Sequence, residues 1–330
     1  MLERNCIRAL LTSRGPWEPS WERRHPCLPP PRDRRAGRDA CAPRVDRTIT
    51  LQESLTNFMR YEEFRPAEPL AKFVKCFWVL ESAASHSAGP ERILPDGCTE
   101  IVFHLGDPFH QHNSDGTTER QPLALVVGQM RRHLLIQPTG RVGVLGVRFW
   151  PGGAYPFLTL PQHEIAGRVI ALESIWGTMS RELHSRMADV ATAAESVTQV
   201  ETVLLARLKN FRTPDDGVLN AITLILRSGG CLPVESLAEN LGVSLRRLDR
   251  TFNTRVGLPP KALSRIVRFQ RVFKMLEQKE NGRDWVQIAL DCGYYDQPHF
   301  IKEFSAIAGK GPTSYFAEQN AMSELFTAAS

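Results

Sequence analysis

Trp285-Val286-Gln287-Ile288-Ala289-Leu290-Asp291-Cys292-Gly293-Tyr294-Tyr295-Asp296-Gln297-Pro298-His299-Phe300-Ile301-Lys302-Glu303-Phe304 repeats a pattern already present between Val234 and Phe252. Val234, Leu237, Ala238 and Gly242 match Trp285, Ile288, Ala289 and Gly293 at an offset of 51. Beyond the glycine the offset is 52, pairing Ser244, Leu248 and Phe252 with Asp296, Phe300 and Phe304. Self-similarity of this kind marks a duplicated structural unit. Each copy reads as an apolar-faced helix, a glycine that tolerates positive φ, a polar N-cap and a second helix with apolar residues four apart. That is the grammar of a helix-turn-helix, and the small Ala238 and Ala289 let its two helices approach at a steep angle. Asp284, with Gln287 three residues on, resembles a capping box at the start of the second copy.

On the helix expected from Ser244 to Arg255, Leu245, Leu248 and Phe252 form the predicted buried stripe. Arg246, Asp249, Arg250 and Asn253 fall on the opposite side, with Arg247 beside them. An arginine fork matches guanine O6 and N7, and asparagine matches adenine, so this face has the chemistry to read a major groove. In the second copy Asp296 caps the helix, Phe300, Phe304 and Ile307 face inward, and Gln297, His299 and Lys302 stay outside. Pro298 lies in the first turn, where its missing N–H costs little. Between the copies, Pro260 to Gln278 gives one continuous helical pattern. Its length at about 1.5 Å per residue is roughly 28 Å, close to the pitch of B-DNA, so two reading helices are expected in successive grooves. Residues 244–283 hold eleven Lys+Arg against three Asp+Glu, a local +8 suited to phosphate.

Residues 215–317 resemble the DNA-binding domain of the AraC/XylS family of bacterial transcriptional regulators. The resemblance is carried by Ala289 to Phe304, followed by Gly309, Gly311, Pro312 and Tyr315. It implies groove-facing positions at Arg246, Asp249 and Arg250 in the first reading helix and at Gln297, Pro298 and Lys302 in the second. Asp249 departs from the polar or basic residue more frequent there; it either accepts from a cytosine amino group or pairs with Arg246 or Arg250. Residues 60–175 resemble, less specifically, a β-rich N-terminal domain found on some members of this family, through Arg65-Pro66, Leu94-Pro95-Asp96-Gly97-Cys98, Val126-Val127-Gly128-Gln129 and Val147 to Gly153. That resemblance implies a sensory or dimerising role.

The rest of the 330-residue chain fits this frame. No uncharged apolar run is long enough to span a bilayer. Seven scattered cysteines without a C-x-x-C pair point to reduced thiols in a cytoplasmic protein. Residues 1–58 are expected to be a disordered leader: 1–48 contain eleven arginines, no lysine and seven prolines. Folded-looking sequence starts at Met59, where translation is expected to begin; an Arg-rich arm on DNA is the other reading. Residues 59–160 are expected to form a β-rich sensory or dimerisation domain, 161–213 a helical connector, and 214–330 the double helix-turn-helix domain. Strand-like runs at Phe77–Leu80, Glu100–Leu105, Leu123–Gly128, Leu134–Gln137 and Val142–Phe149 suggest a barrel, cupin-like, or a sandwich. Overall the fold class is α+β. Residues 210–216 read as a linker ending in a helix N-cap.

His104, His110 and His112 invite a metal-dependent cupin-like enzyme. The last two fall in the turn-rich stretch 107–116 rather than a strand, and no later histidine has suitable spacing, so solvated loop histidines are the preferred reading. Asp96, Arg148 and Trp150 either line an effector pocket or serve as turn and core residues. Cys98 reads as a buried, inert thiol. The helical positions of 161–209, such as Leu183, Met187, Val200 and Leu204, either pair two chains or cover the barrel. The expectation is a DNA-binding regulator that is not an enzyme and needs no metal or other cofactor. Its partners are promoter DNA, an unknown small-molecule effector, a second copy in a homodimer and, if it activates, RNA polymerase; no membrane is involved. The competing class is a cupin-like enzyme or small-molecule-binding protein carrying a DNA-binding tail.

Overall fold

The structure, a computed structural model, describes residues 59–85, 89–212, 217–278 and 284–317. The expected leader lies outside the described residues, as does the end of the expected linker. The first half is a three-layer stack. A six-stranded antiparallel sheet has the order β1 (Met59–Phe64), β2 (Val74–Ser85), β9 (Arg141–Phe149), β4 (Thr99–His104), β7 (Ala124–Val127) and β10 (Val169–Ala171). A smaller sheet runs β3 (Glu91–Ile93), β8 (Leu134–Gln137), β5 (His110–His112) and β6 (Thr118–Arg120). The strands therefore pair into two sheets, and the expected barrel does not close.

Period-two alternation explains the layers. Phe77, Val79, Ile101, Phe103, Leu145, Val147 and Phe149 point to one face of the large sheet and share a core with the helices. Their neighbours Cys76, Trp78, Leu80, Val102, Val142 and Val144 point to the other face, against Phe109 and Ile136. β9 is buried along almost its whole length, which is why it reads as a near-continuous apolar run. It pairs Gly146 with Trp78 of β2, and the indole fills the space a side chain at 146 would need.

The helical layer comprises α1 (Tyr155–Leu158), α2 (Glu173–Trp176), α3 (Thr178–Ala188) and α4 (Ala193–Lys209). Leu183, Met187, Val197, Val200 and Leu204 are buried in the core they share with the sheet. Of the two sequence readings for this stretch, covering the sheet is the one observed. β5 corrects another expectation, because His110 and His112 lie in a strand, paired with β6 and β8. The long stretch 107–116 hid a three-residue strand too short to show alternation.

The second half is all helix: α5 (Val218–Arg227), α6 (Val234–Leu241), α7 (Leu245–Arg255), α8 (Pro260–Gln278), α9 (Trp285–Asp291), α10 (Gln297–Ala308) and α11 (Pro312–Tyr315). Gly217, with a positive φ, occupies the N-cap position of α5 and offers no side-chain cap. α5 to α7 enclose Ile222, Ile225, Leu237, Ala238, Leu248 and Phe252 together with Leu263 of α8. Phe269, Val272 and Phe273, later on α8, belong instead to the core of α9 to α11, with Phe300, Phe304 and Tyr315. One unbroken helix thus serves as a wall of both helical cores.

The two halves meet in a specific junction. Leu94, in the loop between β3 and β4, is buried in the aromatic core of α8 to α11. The Gln270 carboxamide on α8 donates to the Pro95 carbonyl at 2.6 Å. The His133 backbone N–H donates to the Ile307 carbonyl at 2.8 Å. Arg255, at the end of α7, stacks its guanidinium 4.1 Å from the Tyr155 ring centroid and 5.7 Å from that of Phe211.

Candidate nucleic-acid interface

Each helix-turn-helix is built as its sequence dictates. α6 ends at Gly242 in the left-handed conformation, whose N–H returns to the carbonyls at the helix end. Ser244 then caps α7, its hydroxyl accepting from Arg247 N at 3.3 Å. In the second unit the turn passes through Gly293, and the Asp296 carboxylate caps α10 by accepting from His299 N at 2.7 Å. The expected capping box on α9 is only half formed. Asp284 accepts from Val286 N and Gln287 N, but the Gln287 side chain turns forward to Asp291 at 2.6 Å.

α7 presents Arg246, Arg247, Asp249 and Arg250 to solvent, with Asn253 half-buried beside them. Leu248 and Phe252 are buried as expected. Leu245 is not: it is 44% exposed, because the first turn of α7 projects past the core. The buried stripe is corrected to Leu248, Phe252 and Arg255. Leu245 therefore joins the outward face and adds an apolar contact among its charges. On α10, Pro298 and Lys302 are exposed and Gln297 is half-buried, with Tyr295 of the preceding turn 87% exposed. Sequence periodicity gave no hint of either exposed apolar residue, since it reports the spacing of a stripe and not where the core beneath it ends.

His299 is held within its own unit. Its Nδ1 accepts from Tyr295 N at 3.3 Å, and its Nε2 lies 3.4 Å from Glu303. The basic cluster of 244–283 also divides. Arg255 is buried on aromatic rings, and Arg265 and Arg268 approach Glu303 at 2.9 and 3.1 Å. Arg246, Arg247, Arg250, Lys261 and Lys274 are the exposed cations of that stretch among the described residues.

In the β-rich half, Arg148 on β9 is buried, its Nε 2.6 Å from Glu100 and 3.6 Å from Asp96. Burial pushes the Glu100 carboxyl up, with Arg148 pulling the other way. Burial also opposes the Arg148 charge, but Glu100 and Asp96 outweigh it and hold the guanidinium above its ordinary value. Asp96 in turn accepts from Cys98 N at 2.9 Å, fixing the loop that carries Leu94 and Pro95. Trp150 is half-buried, donating from its indole to the Ala71 carbonyl at 3.2 Å beneath the Lys75 ammonium. The Cys98 thiol is buried, and desolvation pushes its pKa well up.

The histidines do not converge. His104 is buried against Phe109 with Nε2 3.0 Å from Gln121 Oε1, while His112 bonds Gln137 and Thr118. Among the described residues no group of three or more His, Cys, Asp or Glu side chains is placed to hold a metal ion. None of their helices is long and apolar enough to cross a membrane.

Comparison with known families places this geometry. Residues 237–318 match a helix-turn-helix domain, and residues 62–171 match a domain of unknown function (DUF6597). Among solved structures the chain is similar to ToxT from Vibrio cholerae O395, at 9% identity and a TM-score of 0.38, covering 79% of this chain and 96% of that one. It is similar to unsaturated fatty acid bound wild-type ToxT from Vibrio cholerae strain SCE256, at 11% identity and 0.38, covering 80% and 96%. It is also similar to the AraC-like transcriptional activator CuxR, at 14% identity and 0.24, covering 67% and 81%. No curated protein matches the chain.

Two capped helix-turn-helix units sharing one spine helix make the second half of the described chain a helix-turn-helix domain of the kind that binds DNA. The signature from Ala289 to Tyr315 lies inside the matched helix-turn-helix domain.

Proposed function

We propose that α7 and α10 enter successive major grooves of promoter DNA and that the β-rich domain makes this binding responsive to a small-molecule effector. The observation carrying the first part is the spine. α8 is a wall of both helical cores, so the two reading helices cannot separate or swing far apart without breaking one of them. Arg246, Asp249, Arg250 and Asn253 supply base contacts from α7, with Ser244 and Arg247 on the backbone. Asp296, Gln297, His299 and Lys302 form the smaller second contact surface.

The Arg148–Glu100–Asp96 group supports the effector reading, because its Asp96 end belongs to the loop that inserts Leu94 and Pro95 into the DNA-binding half. A ligand that competes for Arg148 shifts the population of loop positions and so the state competent for DNA. Trp150, under Lys75, is a secondary candidate. Of the expected division into 59–160, 161–213 and 214–330, the stretch 161–213 is not purely helical: β10 completes the large sheet and its helices share that core, so it serves as part of the β-rich half. A second copy and, at activated promoters, RNA polymerase complete the partners. The protein acts in the cytoplasm and requires no catalysis.

The test is selection of bound duplexes from random DNA by the full chain, followed by the double substitution Arg246→Ala, Arg250→Ala. A bipartite site whose first half loses base discrimination in the variant is expected. Unchanged selectivity at every base pair overturns the assignment of α7 as the reading helix.

A further inference from the structure

Glu303 is an anomaly on a helix that meets DNA, since a carboxylate there repels phosphate. The structure turns it inward. Both of its oxygens are engaged by the spine helix: Oε1 lies 2.9 Å from Arg265 Nε, and Oε2 accepts from Arg268 Nη2 at 3.1 Å. The two arginines are three residues apart, so they stand on the same side of α8, one above the other. His299, one turn earlier on α10, brings Nε2 to 3.4 Å from Oε1. Arg268 is further fixed by stacking 5.0 Å from the Tyr294 ring centroid, in the turn that leads into α10. The Glu303 side chain is 12% exposed and that of Arg268 17%, so water competes weakly for this contact.

We infer that Glu303 is a positioning residue: it pins α10 to α8 and thereby sets the angle and separation between the two reading helices. Aromatic packing of Phe300 and Phe304 against Phe269 is non-directional and tolerates small rotations of α10 about its contact. The hydrogen bond from Arg268 Nη2 to Glu303 Oε2, with the Arg265 charge beside it, does not, because charge-assisted bonds are directional. The same contact withdraws Arg268 from the phosphate-facing pool, while the Arg265 side chain stays 41% exposed. Glu303 therefore acts on the spacing of the bipartite site and not on the identity of any base.

This inference rests on the bipartite reading proposed above. The experiment takes the site selected by the full chain and inserts or deletes one base pair between its halves. The wild-type protein is expected to bind one spacing best. Glu303→Gln, which keeps shape and loses charge, is expected to narrow the gap between best and neighbouring spacings by about fivefold, with base discrimination inside each half unchanged. Arg268→Gln with Arg265→Gln, opening the contact from the other side, should reproduce the change and serves if Glu303→Gln fails to fold. A wild-type spacing profile in folded variants from both sides overturns the inference, as does an equal loss at every spacing. A wild-type protein with no spacing preference at all overturns the bipartite reading itself.

Discussion

Gln270 of α8 donates its carboxamide to the Pro95 carbonyl across 175 residues of sequence, and both groups are buried where the β-rich half meets the DNA-binding half. The bond is a directional link between the spine helix and the loop that Asp96 and Arg148 organise. Replacing Gln270 with Met keeps the volume but leaves the Pro95 carbonyl buried without its donor, at a cost of about 1–3 kcal/mol. The expected result is faster amide exchange at Gly97 and Cys98 and an altered affinity for operator DNA. Unaltered exchange and affinity would mean that this loop does not connect the halves.

His104 offers a pH-dependent measurement. Burial lowers its pKa from 6.5 to about 4, with Gln121 raising it and His184 and Arg120 lowering it further. The folded protein therefore holds it neutral. Its contribution is complete above the ordinary histidine pKa and is lost as pH falls from about 6.5 towards 4, because protonation there favours the unfolded chain. The full change amounts to about 3 kcal/mol. Urea unfolding at pH 7 and pH 4.5 should show the decline, and His104→Leu should lessen it. An equally steep decline in that variant would assign the effect to other groups.

Leu245 and Leu248 stand on the same helix with opposite fates. Leu248→Ala removes a buried side chain from the core of α5 to α8 and should cost about 2–5 kcal/mol. Leu245→Ala touches a residue 44% exposed and should cost under about 1 kcal/mol, while weakening operator binding through loss of an apolar contact in the groove. Thermal melts and binding titrations on the pair separate packing from recognition. A Leu245 variant that melts early yet binds normally would return this residue to the core.

The duplicated units were legible because local rules agree there: glycine at the turn, a polar cap, and apolar residues at helical spacing all point one way. Pro260 to Gln278 was readable to its ends for the same reason. Four short strands, β3, β5, β6 and β10, escaped because three residues cannot display alternation. The junction escaped for a different reason. Leu94 and Gln270 carry no local sign of each other, and a long-range contact between a turn residue and a helix leaves no period in either. The role of Glu303 is not written in its neighbours in sequence, because it depends on the arginines that α8 brings to it.

Gly230 and Gly242 test how much of a turn is backbone strain and how much is space. Both have positive φ, at 77° and 62°. Nothing lies within 4 Å of a Cβ added at Gly242, so Gly242→Ala meets only the left-handed penalty, about 1 kcal/mol. At Gly230 the added carbon would collide with the Ser264 carbonyl and crowd Arg268 N, both on the spine helix. Backbone cannot step aside as a flexible side chain can, so Gly230→Ala should cost roughly 2–4 kcal/mol. Chemical denaturation of the two variants should rank them in that order. Equal costs would show that the loop after α5 moves away from α8 at little expense, and that the spine is held by the two cores alone.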